Sequence, residues 1–393
     1  MRVLIAGIDG YLGWTLVQHL LDRGHTVGGV DLLLRRKWVK EMGSLSAIPI
    51  ASIKDRLEAI KEQKKTLYFQ KGDLTNYNFV QSVVKEFKPD TIVHLGEMPS
   101  APYSMIDVHH ASFTQYNNLI GTLNILFAIK EIDPDIHLVK LGTMGEYGTP
   151  NIDIPEGFFE IQFRNRRDTL PFPKQAGSWY HWSKVHDSNN VMFACKIWGL
   201  KSTDIMQGVV FGTQTDQMTS DNRLRTRLDF DESFGTAINR FCCMAVIGHP
   251  LTLYGQGKQK RGFIPLRDSM QCMTLAIEKP PKHGEYRVIN QFEEVYNITE
   301  LANRVKVASE KMGLQVKINN FTNPRKEAEE HYYNPDHQKL FDLGYKPTQT
   351  MDKELELMLS DLLKNKQRIE SKKEVLIPKI QWSGKKEKVK ITK

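Results

Sequence analysis

Short apolar runs and a glycine turn open the chain in the order strand, turn, helix, strand. Residues 2–6 form an apolar run, and apolar side chains then recur at helical spacing as far as Gly24. A second apolar run at 26–30 ends at Asp31. Continuous apolar runs of this length are typical of strands buried on both faces of a parallel sheet. The pattern therefore predicts a β-α-β unit at the N-terminus.

The same alternation continues through the first half of the chain. Further strands are predicted at 66–69, 91–95, 137–141 and 203–210, and further helices at 79–87, 103–132 and 177–198. Alternation of this kind predicts an α/β fold with a doubly wound parallel sheet of the Rossmann type. Such sheets bind ligands at the carboxyl ends of their strands.

The strand-helix rhythm weakens beyond Phe211. Helices are predicted near 231–247, 268–278, 299–312 and 351–363, with short strands at 251–254 and 287–290. We expect a sheet domain at 1–210, mainly a smaller C-terminal substrate-binding lobe at 211–363, and a tail at 364–393. Two long segments, 32–65 and 150–175, interrupt the sheet domain. Both exceed ordinary connections in length, so we expect each to cover a site, the second as a loop.

Composition and charge exclude several classes of protein. The 393 residues are 40% hydrophobic and 25% charged, and no apolar run has the ~18 residues that a membrane span needs. The net charge of +8 lies entirely in the tail, because the first 363 residues hold 43 basic and 43 acidic residues. A basic run is usually a solvated surface, so we expect no nucleic-acid partner, although Trp382 suggests that part of the tail docks.

The cysteines and the N-terminus bear on compartment and metal binding. The four cysteines show no C-x-x-C spacing, so we expect free thiols and no metal site. The N-terminal apolar run is too short for the core of a signal peptide. These features predict a cytoplasmic protein.

A glycine motif after the first strand predicts a dinucleotide site. Gly7, Gly10 and Gly13 open the first helix, where backbone can approach a pyrophosphate at the helix N-terminus. Asp31 ends the second strand, and a carboxylate there accepts both ribose hydroxyls of NAD and repels the 2′-phosphate of NADP. Arg35 and Arg36 lie nearby and keep NADP open as an alternative. The other residues expected to contact the cofactor are Tyr11, Leu12, Asp73, Leu74, Asn117 and Val210.

Tyr180 and Lys184 form the candidate catalytic pair. They stand four residues apart on a predicted helix, so both side chains face the same way. A lysine ammonium beside a phenol is expected to lower the pKa of the phenol toward neutrality. Tyr180 would then take a proton from a hydroxyl whose carbon gives hydride to the nicotinamide. Lys184 would also hold the nicotinamide ribose, and Thr143 would hydrogen-bond the reacting oxygen.

These residues resemble the extended short-chain dehydrogenase/reductase family, which acts on nucleotide sugars. The strings at 100–107, 141–153, 180–181, 323–325 and 329–333 narrow the resemblance to the UDP-sulfoquinovose synthases. The resemblance implies a tightly held NAD and a homodimer. It also implies conversion of UDP-glucose and sulfite into UDP-6-sulfoquinovose.

The residues after Thr143 separate the chain from other branches of the family. The 4,6-dehydratases carry an Asp-Glu pair directly after this threonine, whereas here Met144 and Gly145 precede Glu146. Simple 4-epimerases usually have small or hydroxyl residues there. We therefore expect Glu146 and His181 to transfer protons at C5 and C6 of the sugar or to hold sulfite. A packed helix histidine is the alternative interpretation of His181.

Residues of the lobe are expected to bind the nucleotide sugar. Arg261 lies in a string that resembles the family's diphosphate-binding motif, and a guanidinium suits phosphate. Arg325 is a second candidate, and Tyr254 resembles a residue of the uracil-binding strand. The other residues expected to contact substrate are Ser100, Thr143, Met144, His181, Gln207, Thr236 and Gln259. The plant synthases have Arg where this chain has Pro99.

Two other interpretations stay open at this point. A UDP-glucose 4-epimerase or 4,6-dehydratase would turn over UDP-glucose without sulfite. An NAD-bound regulatory protein would have lost catalysis, although the intact set of Thr143, Tyr180 and Lys184 argues against it.

Overall fold

A computed structural model describes residues 1–325, 330–382 and 391–392. Glu329 of the string at 329–333 and part of the predicted tail lie outside these residues. The strands are β1 (Arg2–Ala6), β2 (Thr26–Asp31), β3 (Leu67–Lys71), β4 (Thr91–His94), β5 (His137–Thr143), β6 (Phe158–Phe163), β7 (Arg166–Pro171), β8 (Lys201–Gln207), β9 (Val209–Phe211), β10 (Leu251–Tyr254), β11 (Lys260–Pro265), β12 (Tyr286–Gln291), β13 (Glu294–Asn297), β14 (Ile318–Phe321) and β15 (Ile391–Thr392).

The helices alternate with the strands in the first half of the chain and dominate the second half. They are α1 (Tyr11–Asp22), α2 (Leu34–Glu41), α3 (Ile53–Glu62), α4 (Tyr77–Phe87), α5 (Ala101–Ser104), α6 (Val108–Ile132), α7 (Trp179–Trp198), α8 (Ala237–Val246), α9 (Leu266–Glu278), α10 (Ile298–Lys311), α11 (Gln338–Asp342), α12 (Met351–Leu363) and α13 (Lys366–Glu370). Within the described residues, no helix is long and apolar enough to cross a membrane.

The central sheet has seven parallel strands in the order β3-β2-β1-β4-β5-β8-β12. The direction in which successive strands are added reverses between β1 and β4. Doubly wound sheets bind their ligands at this position. Helices α4, α6 and α7 contribute to a buried apolar cluster on one face, and α1, α3 and α9 to another on the other face. The predicted α/β fold is confirmed.

One strand of this sheet comes from the segment that the sequence predicts for the lobe. Strand β12 pairs along its length with β8 and forms the edge of the central sheet. The remainder of the lobe packs α8, α10 and α12 around a third apolar cluster. Its strands form two small sheets, β10-β14-β15 and β13-β11-β9, and β9 follows β8 after a single residue.

The two interrupting segments have structure of their own. Residues 32–65 contain α2 and α3, and Leu32, Leu34, Arg35 and Trp38 line a cavity at the end of the sheet. Residues 158–171 form the antiparallel hairpin β6-β7 where the sequence predicts a loop. That prediction is wrong because all of β7 and half of β6 are exposed, so their sequence lacks the alternation that marks a half-buried strand.

Candidate active site

A cavity of about 360 Å³ lies at the carboxyl ends of the strands, and the predicted glycines form one of its walls. Gly7 has a φ of +90°, and a Cβ there would lie 2.6 Å from the backbone of Leu95. A Cβ on Gly13 would lie 2.2 Å from the carbonyl oxygen of Gly7. Only glycine permits this close packing of the turn against the first helix. The wall therefore fits a dinucleotide pyrophosphate at the N-terminus of α1.

Asp31 and its neighbours favour NAD over NADP. Asp31 lines the cavity at the end of β2, and its carboxylate accepts hydrogen bonds from the backbone N–H groups of Asp9 and Leu33. Arg35 also lines the cavity, but its guanidinium is paired with Asp229 at 2.9 Å. Arg36 pairs with Asp9 at 2.7 Å. Both arginines are therefore already paired with carboxylates, which disfavours their use for the 2′-phosphate of NADP.

All but one of the residues predicted for the cofactor line this cavity. The exception is Arg36, which points to Asp9 and the backbone of Ala51 instead. The residues placed as predicted are Gly7, Gly10, Tyr11, Leu12, Gly13, Asp31, Arg35, Asp73, Leu74, Asn117, Tyr180, Lys184 and Val210.

A second cavity of about 570 Å³ adjoins the first on the side of the lobe. It is lined by every residue predicted to contact substrate, namely Ser100, Thr143, Met144, His181, Gln207, Thr236, Tyr254, Gln259, Arg261 and Arg325. Gln259 is buried, and both polar atoms of its amide lack a hydrogen-bond partner among the described residues. Buried amides are nearly always hydrogen-bonded, so this side chain is suited to a ligand.

Thr143 and Tyr180 line both cavities. Thr143 ends β5, where its hydroxyl accepts a hydrogen bond from the backbone N–H of Gly145 at 3.1 Å. Tyr180 lies in the first turn of α7, and its backbone N–H donates to the hydroxyl of Ser104 at 3.0 Å. The two side chains thus stand where a cofactor in one cavity meets a substrate in the other.

Lys184 is paired with a carboxylate that the sequence analysis did not single out. Its ammonium lies 2.6 Å from Oε2 of Glu97 and donates to the carbonyl oxygen of Leu141 at 2.6 Å. Burial raises the pKa of Tyr180, and the carboxylates of Glu97 and Glu146 raise it further. The predicted lowering of the phenol pKa is therefore not found, because burial dominates and the carboxylates of Glu97 and Glu146 act in the same direction.

Glu146 lies behind Thr143 and lines neither cavity. Its carboxylate accepts from the backbone N–H of Thr143 at 3.2 Å and from Ser188 at 2.9 Å, and contacts Lys174 at 2.5 Å and Lys140 at 3.5 Å. Burial alone would raise its pKa, but the two ammonium groups lower the pKa to about 2. Because Glu146 lines neither cavity, this placement does not support the role in proton transfer or sulfite binding predicted from sequence, and the carboxylate holds the backbone N–H of Thr143 instead.

His181 lines the substrate cavity beside Gly145. A Cβ on Gly145 would lie 2.4 Å from Nε2 of His181, so the glycine makes room for the ring. The other ring nitrogen, Nδ1, lies 3.0 Å from the hydroxyl of Ser178, which also caps α7. The ring of His181 is 5.0 Å from that of Tyr180. The imidazole is thus oriented by Ser178 and stands next to the candidate base.

Several residues of the site went unnoticed in the sequence. Arg240 lines the substrate cavity, with its guanidinium 4.7 Å from the ring centre of Tyr254 and in contact with its hydroxyl. Phe234 lines both cavities, and the guanidinium of Arg35 lies 3.8 Å from the centre of its ring. Glu97 could have been found, because it lies three residues after the end of β4, on the carboxyl side of the sheet. Arg240 gives no such signal, since it lies within an apolar helix.

The sequence profile of the NAD dependent epimerase/dehydratase family matches residues 3–298. The chain is 49% identical over 384 residues to the UDP-sulfoquinovose synthase of Sulfolobus acidocaldarius, covering 97% of this chain and 98% of that relative. It is 50% identical over 382 residues to the chloroplastic UDP-sulfoquinovose synthase of Spinacia oleracea, covering 97% and 79%. Both matches span nearly all of the chain.

Solved structures share the fold at lower identity. A UDP-glucuronic acid 4-epimerase from Bacillus cereus, in complex with UDP-glucuronic acid and NAD, matches with a TM-score of 0.69 at 20% identity, over 93% of this chain and 99% of that one. The glycine wall, Asp31, Thr143, Tyr180 and Lys184 all line the first cavity of this chain. The chain belongs to the NAD dependent epimerase/dehydratase family and, within it, to the UDP-sulfoquinovose synthases.

Proposed function

We propose that this enzyme converts UDP-glucose and sulfite into UDP-6-sulfoquinovose and water. The single observation that carries the proposal is the meeting of the two cavities at Thr143 and Tyr180. At this junction, a hydroxyl oxygen of a bound sugar can reach Tyr180, the candidate base, while the carbon that bears this oxygen faces the cofactor cavity. The names of the two relatives, at about half identity over the whole chain, support this choice of product.

The residues at the junction act on the C4 hydroxyl of glucose. When bound, NAD would supply the acceptor and donor of the hydride exchanged with C4. Tyr180 takes the C4 hydroxyl proton and gives it back at the end of the cycle. Thr143 hydrogen-bonds the same oxygen and fixes the sugar against Tyr180. Lys184 holds the nicotinamide ribose, with Glu97 as its counter-ion.

The second part of the reaction takes place at C5 and C6. With a ketone at C4, the C5 proton is acidic, so its removal and loss of the C6 hydroxyl as water give an enone. The sulfur of sulfite forms a bond to C6, a proton returns to C5, and reduction at C4 completes the product. His181 is the candidate for these proton transfers or for holding sulfite, because it lines the substrate cavity beside Tyr180.

The nucleotide half of the substrate fits the lobe side of the second cavity. Arg240, Arg261 and Arg325 line it and supply positive charge for a diphosphate. Gln259 offers an amide with no protein partner among the described residues. Tyr254 adds an aromatic ring for a base, held between two of the arginines.

We further propose that the enzyme is a homodimer that acts in the cytoplasm. Helices α6 and α7 pack together and carry a group of exposed large apolar side chains, namely Val108, Tyr116, Phe127, Trp179, Trp182, Phe193 and Ile197. Many large apolar side chains exposed on two packed helices are typical of a protein interface. A symmetric contact would cover both helices of each copy.

The state of the cysteines supports the cytoplasm as the compartment. The four cysteines are buried thiols, which suits a reducing compartment.

The experiment that tests the function is mass spectrometry of the nucleotide sugar after incubation with UDP-glucose and NAD, with and without sulfite. We expect a product heavier by sulfite less water, formed only when sulfite is present. Formation of UDP-galactose or of a 4-keto-6-deoxy sugar regardless of sulfite would contradict the proposal.

A further inference from the structure

The start of the C-terminal tail returns to the body of the protein beside the substrate cavity, which Trp382 lines. We call residues 378–382 the strap. At one end, the carboxylate of Glu232 accepts hydrogen bonds from the backbone N–H groups of Lys379 and Ile380, at 2.7 and 3.0 Å. Glu232 directly precedes the segment 233–237, which lines the cavity. The strap is thus tied to one wall of the substrate site.

The other end of the strap is tied to the segment that carries Arg325, which also lines the cavity. The backbone N–H of Trp382 donates to the carbonyl oxygen of Pro324 at 3.0 Å. Further along, β15 pairs with β14, which lies beside the strand that carries Tyr254. Backbone N–H groups of the strap donate at both ends, to the carboxylate of Glu232 at one end and to a backbone carbonyl at the other, and these bonds hold the strap in place.

Trp382 is the strap residue that reaches the site. Its side chain lines the substrate cavity, and its ring centre lies 5.1 Å from the guanidinium of Arg325. The same guanidinium lies 5.8 Å from the ring centre of Tyr254 on β10. Arg325 therefore stands between two aromatic rings, one from the lobe and one from the strap. Such contacts favour a fixed orientation of the guanidinium.

We propose that Trp382 is a positioning residue for the nucleotide half of the substrate, acting through Arg325. The strap completes the cavity wall, and the indole holds the Arg325 guanidinium facing the diphosphate before substrate arrives. Holding a flexible arginine in its binding orientation reduces the ordering cost that binding would otherwise carry. The consequence is tighter binding of UDP-sugars with no effect on the cofactor cavity, which no strap residue lines. This inference rests on the proposed function, in that it assumes a UDP-sugar in this cavity.

The test is calorimetric binding of UDP and of UDP-glucose to the full-length protein carrying single substitutions. We expect Trp382→Ala to weaken both ligands about 10-fold, in line with a half-buried cation–π contact. We expect Trp382→Phe to keep most of the affinity, because it retains an aromatic ring. The matched control is Lys379→Ala. The side chain of Lys379 is exposed, so this substitution removes a positive charge from the strap and keeps the hydrogen bond from the backbone N–H of residue 379 to Glu232. Affinity for NAD should stay the same in all three variants.

A double substitution separates action through Arg325 from general damage. Arg325→Ala alone should weaken UDP to a similar extent, and adding Trp382→Ala to it should cost little more. Unchanged UDP affinity in Trp382→Ala, or the same 10-fold loss in the Arg325→Ala background, would overturn the inference. If the unsubstituted protein binds neither UDP nor UDP-glucose, the proposed function itself fails.

Discussion

The ammonium of Lys184 lies 2.6 Å from the carboxylate of Glu97, and both side chains line the cofactor cavity. Burial raises the pKa of Glu97, and close by in the same protein interior Asp187 also has a raised pKa because of its burial. Burial lowers the pKa of His94 to about 3, so this neighbour is neutral at physiological pH. The ammonium of Lys184, which is expected to activate Tyr180, is thus paired with the carboxylate of Glu97.

This pairing predicts the pH dependence of turnover. A carboxylate near a phenol disfavours the phenolate, so replacing it with a neutral amide lowers the pKa of the phenol. Because Tyr180 acts as a base when deprotonated, Glu97→Gln should move the rising limb of the kcat profile to lower pH, by about 1 unit. Asp187→Asn is the matched control and should leave that limb in place. An unshifted limb in Glu97→Gln would show that Glu97 does not set the pKa of Tyr180.

Loss of the Tyr180 hydroxyl should abolish chemistry and spare binding. Tyr180→Phe removes the proton acceptor, and we expect product formation to fall ~10²–10⁴-fold while the Kd for UDP-glucose stays within a factor of about 3. Tyr147→Phe provides the control, because Tyr147 is buried, bonds Asn290 and lines neither cavity. It should cost about 1 kcal/mol of stability and leave kcat unchanged. Equal activity of the two variants would remove Tyr180 from the mechanism.

His181 has two candidate roles that steady-state kinetics can separate. If it transfers protons at C5 or C6, His181→Gln should lower kcat ~10²-fold or more with little change in the KM for sulfite. If it holds sulfite, the KM for sulfite should rise and high sulfite should restore the rate. Unchanged values of both parameters would favour the packed-histidine interpretation instead.

Gln259 should contribute to ligand binding and not to folding. Its buried amide lacks a partner among the described residues, so Gln259→Leu removes no internal hydrogen bond. We expect the KM for UDP-glucose to rise about 10-fold, with Tm unchanged or higher. A fall in Tm with an unchanged KM would assign the side chain to the fold.

Glu146 should matter for stability more than for chemistry. Glu146→Gln leaves Lys140 and Lys174 less compensated in the interior, and we expect the free energy of unfolding to fall by about 3–5 kcal/mol. Because the pKa of Glu146 is lowered to about 2, its contribution is present above the ordinary glutamate pKa and is lost as the pH falls toward 2. Urea unfolding of both proteins from neutral to acidic pH should show this difference narrowing. A large loss of kcat at unchanged stability would restore the catalytic role predicted from sequence.

The sequence predicts what depends on local pattern. Strand β1, the glycine turn and Asp31 follow one another along the chain, so their spacing carries the cofactor site. The Lys184–Glu97 pair could not be read this way, because it needs α7 and the end of β4 to meet in space. Arg36 was expected at the cofactor because Asp31 is close in sequence. It turns away because Asp9, which is also bound by the buried Arg56, lies nearer.

The orientation of the Glu146 side chain has a local cause, which a comparison with the Asp-Glu pair of the dehydratases does not indicate. Thr143 and Glu146 form a capping box around a short helical turn, in which the glutamate side chain returns to the backbone N–H of the threonine. That geometry points the carboxylate away from the substrate. The sequence predicts strand β12 as part of the lobe, because 74 residues separate it from β9 and such a distance gives no sign of pairing with β8.

In the proposed mechanism, one sugar is oxidised, sulfonated and reduced at the junction of Thr143 and Tyr180. Nuclear magnetic resonance of the product formed from UDP-glucose and sulfite in deuterium oxide tests it most directly. We predict a sulfonate on C6, solvent deuterium on C5, and the original hydrogen on C4, since the hydride removed there is returned. A sulfonated product that keeps its original C5 hydrogen, or one with solvent deuterium on C4, would contradict this mechanism.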